Sequence, residues 1–132
     1  MKTSGFDNAV VLLDKPAGQT SFDTISKLRK LAGIRKIGHS GTLDKFASGL
    51  LVICTGGATR LTRYFLESDK RYTGIIKLGL VTDTCDITGE VLSEKGTCGL
   101  TDEKIEGAVS GFSGWMKQMP PVYSSLKVGG KR

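Results

Sequence analysis

The chain has 132 residues, 39% hydrophobic and 24% charged, with a net charge of +6. That size suits one modest domain and excludes a multidomain enzyme within these residues; nothing in the composition suggests disorder or low complexity. The charge is lopsided: residues 1–72 hold 12 Lys and Arg against 6 Asp and Glu, while residues 73–132 hold 7 against 7, so the basic half suits a polyanion such as RNA or DNA.

The N-terminal ten residues carry no long apolar run, which argues against a secretory signal, and no later run approaches membrane-spanning length. Three cysteines, Cys54, Cys85 and Cys98, fit no zinc spacing and read as buried or idle thiols in a reducing compartment. A soluble cytoplasmic protein is expected.

The first predicted element is a short buried strand over Val10–Leu13, stopped by Pro16 and Gly18. A helix follows, capped by Thr20 or Ser21, with Phe22, Ile25, Leu28 and Leu31 along one side and Gly33 as its stop. Lys27, Arg29, Lys30, Arg35 and Lys36 form a basic edge. The loop "GHSGTLDKFASG" (38–49) comes next and holds the only histidine. A second buried strand is expected at 50–56, and a helix at 58–68 with Leu61, Tyr64 and Phe65 inward. A strand at 70–80, a turn region at 82–90, a short strand "EVLS" and a helix at 100–114 capped by Thr101 follow. The chain then runs out in "MPPVYSSLKVGGKR", a short extended piece with a basic tip. Interleaved helices and strands without repeats place the chain among mixed α and β folds.

The loop at 38–49 carries the candidate chemistry. Gly38 and Gly41 permit a tight turn and close approach of a ligand. Asp44 suits a nucleophile if it is held exposed on such a turn, or else an aspartate that caps a turn. His39 has no nearby acid to orient it as a base; it suits a contact to a flipped base or a phosphate, or a plain structural role. His39 and Asp44 alone are too few ligands for a metal. "CTGGATR" (54–60) puts Gly57 near a helix N-terminus, a weak phosphate cradle without the P-loop pattern.

Four blocks resemble the tRNA pseudouridine synthase B family in order and spacing: "LLDKPAGQTSFD", "GHSGTLDKFASGLLVICTGGATR", "KRYTGIIKLGLVTDTCDITGEV" and "PPVYSSLKVGGKR". The resemblance implies an α+β fold with a mixed, mainly antiparallel sheet flanked by helices. It implies isomerisation of uridine to pseudouridine at position 55 of the tRNA T-loop, with no cofactor and no metal. The family's nucleophilic aspartate falls on Asp44, its loop histidine on His39, its base-stacking tyrosine on Tyr72. The family's Lys-Pro pair falls on Lys15 and Pro16; Lys15 is grouped with the substrate-binding residues, mainly as a support for the loop. The family usually has proline where this chain has Lys45. The resemblance further implies that residues 1–132 are the N-terminal portion of a catalytic domain. The second half, with an arginine partner for Asp44, and a C-terminal RNA-binding appendage would lie outside them. The implied partner is the tRNA T-loop, with no membrane and a monomeric full-length protein. Two other readings stay open: an RNA-binding module that keeps the fold without turnover, and a small-molecule enzyme that holds a phosphate at Gly57.

Overall fold

The structure is a computed structural model and describes residues 6–119. The chain divides after Tyr72 into two compact units.

In the first unit, β1 (Val10–Lys15) leads to α1 (Ser21–Ala32), β2 (Ile37–His39) and β3 (Gly49–Thr55). The three strands form an antiparallel sheet in the order β1-β3-β2. Opposite residues of an antiparallel pair share a face. Val11 faces Ile53, Leu13 faces Leu51, and His39 also faces Ile53. Those residues therefore point to one side of the sheet. Ile25 and Leu28 of α1 pack there with Val11, Leu13, Ile37, Leu51 and Ile53. This is the core, and Ile53 at its centre is fully buried.

The expected strand and helix are present, with corrections. Only one face of β1 is covered, so Val10 and Leu12 are exposed. In α1 the inward stripe narrows to Ile25 and Leu28, while Phe22 and Leu31 are exposed. A three-stranded sheet is too narrow to cover all three turns of the helix. Thr20 is the N-cap and forms a capping box with Asp23. Gly33 ends the helix in the left-handed conformation at φ 65°.

The segment expected as a helix at 58–68 begins earlier, as a 3-10 helix (Gly56–Leu61), and continues as α2 (Thr62–Glu67). The Gly57 N–H donates to Asn8 Oδ1, and the Gly56 N–H to the Lys36 carbonyl at 2.9 Å. These bonds fasten the first turn and leave neither amide free for a phosphate, which removes the basis for a cradle at Gly57. Leu61 and Tyr64 are exposed rather than inward.

The second unit holds β4 (Leu80–Thr82), β5 (Val91–Glu94) and α3 (Asp102–Ser110). β4 and β5 pair antiparallel, with a register shift between Val81 and Thr82. The turn between them is knitted by Asp86, which accepts from the hydroxyls of Thr84 and Thr88 and from the Thr88 N–H. α3 is shorter than the 100–114 expected. The strand expected over 70–80 forms only at Leu80–Thr82. Among the described residues 70–78 has no ladder partner, and Ile75 and Ile76 are exposed. Alternating apolar residues make a strand only where another strand and a surface receive them. "PPVYSSLKVGGKR", the fourth block of the resemblance, lies outside the described residues. Cys54 is buried and Cys85 and Cys98 are exposed, all as free thiols. Among the described residues no helix is long and apolar enough to cross a membrane.

Candidate functional site

Asp44 lies in the irregular segment between β2 and β3. A concavity of about 490 Å³ opens there, lined by the cap Thr20, by Ser21, Phe22, Ile25 and Arg29 along α1, and by Ile37, His39 and Thr42–Lys45. The fold thus brings His39 and Asp44 to one cleft, five residues apart in sequence. The Asp44 side chain is exposed. Two residues that the sequence placed elsewhere also line it: Arg29, from the basic edge, and Phe22, from the supposed inward stripe.

The loop is shaped by its glycines. Gly41 and Gly49 adopt φ 139° and 135°, conformations that favour glycine. Gly38 stands where a Cβ would meet Thr62 Oγ1 at 2.9 Å, so its lack of a side chain lets β2 approach α2. His39 does not belong to a loop, as expected, but ends β2; main-chain pairing with β3 through Ile53 fixes its direction. Its Nδ1 lies 2.7 Å from the Gly41 carbonyl. A carbonyl only accepts, so Nδ1 donates, and Nε2 is left to face a ligand.

Residues 15–21 hold the two flanks of Asp44. The Gly18 N–H donates to the Lys45 carbonyl at 2.7 Å. Ser21, buried at the first position of α1, donates from Oγ to the Leu43 carbonyl at 3.1 Å and accepts from the Leu43 N–H at 3.0 Å. Lys15 is fully buried, and its ammonium donates to the carbonyls of Pro16 at 3.0 Å and Gln19 at 2.7 Å. It therefore binds the turn that carries Gly18 and does not reach the surface of the cleft. Pro16 opens that turn. The tie through Lys45 uses only its carbonyl, which a proline would also present. Tyr72 is exposed in the unpaired segment after α2 and is not among the cleft residues.

Sequence reasoning missed Ser21. Two hydroxyl residues stand side by side at 20 and 21, and either could have capped the helix. Only the contact with Leu43, 22 residues away, separates their duties. The burial of Lys15 also has no local signal.

Residues 29–132 match the family described as TruB family pseudouridylate synthase (N terminal domain). The tRNA pseudouridine synthase B of Clostridium perfringens is 44% identical over 125 residues, covering 95% of this chain and 42% of its own length. The protein of the same name from Oenococcus oeni is 48% identical, covering 94% of this chain and 42% of its own length. A crystal structure of a Cbf5-Nop10-Gar1 complex is similar over 92% of this chain and 32% of its own, at a TM-score of 0.61 and 25% identity. The chain thus spans about two fifths of the length of those two curated relatives. With the mixed helices and antiparallel strands described above, the match over residues 29–132 identifies this chain as a member of the TruB family of pseudouridylate synthases.

Proposed function

We propose that the protein carrying this chain isomerises uridine to pseudouridine in tRNA, at position 55 of the T-loop, with Asp44 as the nucleophile on a flipped-out nucleotide. The observation that carries the reading is the position of Asp44: an exposed carboxylate in the cleft beside His39, its neighbours Leu43 and Lys45 both tied down. The family match and the names of the relatives supply the reaction. In the isomerisation the C–N bond from ribose to uracil breaks, the base turns, and a C–C bond forms. The proton displaced from carbon is balanced by one gained at the freed nitrogen. An oxygen lone pair of Asp44 attacks the ribose carbon as its C–N bond breaks, and the carboxylate leaves that carbon again when the C–C bond forms, so it is regenerated. Extruding the base costs a few kcal/mol; stacking on the exposed ring of Tyr72 returns about 1–3 kcal/mol of it. His39 presents Nε2 to the displaced nucleotide. Lys15 acts from beneath, by holding the turn that carries Gly18. Of the exposed basic edge, Arg29, Lys30, Arg35 and Lys36 meet the phosphates, while the Lys27 ammonium is turned to Gln19.

The test is Asp44→Asn in the full-length protein, with a T-loop stem-loop RNA as substrate and nucleoside chromatography as readout. Pseudouridine formation should vanish while RNA affinity stays within about threefold, because the amide keeps the size of the side chain and loses the nucleophile. A variant active within about tenfold of the parent would remove Asp44 from the role. A parent that binds the RNA and forms no product would favour the binding module without turnover.

A further inference from the structure

We propose that Ser21 is a positioning residue for Asp44, acting through Leu43; this rests on the reading of Asp44 as the nucleophile. The Asp44 carboxylate receives no hydrogen bond from any other described residue. Its direction is therefore set by its own backbone, and that backbone by what holds its neighbours. On the C-terminal side, the Lys45 carbonyl is held by the Gly18 N–H. On the N-terminal side both polar groups of the Leu43 backbone are held by one atom, Ser21 Oγ, at 3.0 and 3.1 Å.

A hydroxyl both donates and accepts, so it closes a two-bond clasp that neither an ammonium nor a methyl can form. The clasp is only 3% exposed at Ser21, where water competes poorly. Ser21 itself is rigid: it is the first residue of α1, directly after a cap that is bonded to Asp23 in both directions. The clasp thus ties the attacking residue to a capped helix end and not to another loop. Attack on a nucleotide needs the reacting atoms within a few tenths of an ångström of a productive approach, and about 1 Å of misplacement costs on the order of 100-fold. Ser21 lines the same cleft, but it is buried and its hydroxyl is taken up by the Leu43 backbone, so it acts on the rate through position and makes no contact with the RNA in this reading.

The experiment compares Ser21→Ala, Ser21→Thr and Ser21→Cys with Asp44→Asn in the full-length protein, reading kcat, KM and hydrogen exchange at the Leu43 amide. Ser21→Ala should lower kcat by about 10- to 100-fold, with KM within about threefold, and should speed exchange at Leu43. Ser21→Thr, which keeps the oxygen, should recover most of the rate. Ser21→Cys, which keeps the volume but bonds weakly, should not. If Ser21→Ala fails to fold, the comparison of Thr with Cys decides the matter alone. Equal kcat for Thr and Cys, or a parental kcat in Ser21→Ala, would overturn the proposal while an inactive Asp44→Asn left the nucleophile in place. An active Asp44→Asn would overturn both.

Discussion

Replacing Arg29, Lys30 and Lys36 together by glutamine should flatten the salt dependence of tRNA binding. All three side chains are exposed, and Arg29 lines the cleft that holds Asp44. Lys27 belongs to the same basic edge in sequence but not in effect. Its ammonium donates to Gln19 Oε1 at 2.7 Å. An ammonium already directed at an internal acceptor is less free to meet a phosphate and displace its counterions. Each phosphate contact adds about −0.9 to the slope of log affinity against log salt. Three contacts therefore contribute a slope of about −2.7, or about 40-fold in affinity for a fourfold rise in salt. The triple variant should lose most of that slope. Lys27→Gln alone should change it by less than about 0.5. The assay is fluorescence anisotropy of a labelled T-loop stem-loop between about 50 and 200 mM salt, with circular dichroism as a check on α1. An unchanged slope in the triple variant, or an equal loss from Lys27→Gln, would place the phosphates on another face.

Gly38→Ala should impair turnover without a change at the nucleophile. Its Cβ would meet Thr62 Oγ1, which is buried with no hydrogen-bond partner among the described residues, so either Thr62 turns away or β2 shifts and carries His39 with it; the expected loss follows the second course, and a kcat within twofold of the parent (on the order of 0.4 kcal/mol) would show that Thr62 gives way instead. Asp23 supplies a pH dependence: its carboxyl is lowered from 3.8, first by the Thr20 hydroxyl and then by the Thr20 N–H, with Lys27 adding to them. Because the folded value is depressed, the stability it contributes is present above the unfolded value and is lost as pH falls through the folded one. Melting temperatures between about pH 5 and pH 3 should fall less steeply for Asp23→Ala than for the parent, and parallel curves would refute the link.

Local chemistry was legible wherever it needed no distant partner. A hydroxyl cap at Thr20 or Ser21, the stop at Gly33, the apolar run of β3 and the glycines at 38 and 41 follow from steric and hydrogen-bonding rules that act over four residues or fewer. Four motif blocks in register were enough to place the family and to single out His39 and Asp44. Tertiary structure decided everything that depends on what a residue meets across the fold. The residues of 70–80 alternate well, yet form a strand only at Leu80–Thr82, because a strand exists only where another receives its backbone. Ile37–His39 carry little strand signal, yet pair with β3, which offers them an open edge. Lys15, grouped by resemblance with the substrate-binding residues, is fully buried at the end of β1, a burial that depends on what packs over the sheet and has no local signal. Ser21 reads as an alternative cap and clasps Leu43, because α1 packs on the sheet and brings its first residue against the Asp44 loop. Sequence spacing names the groups that can act; packing over 22 or more residues of separation determines which of them are held in place.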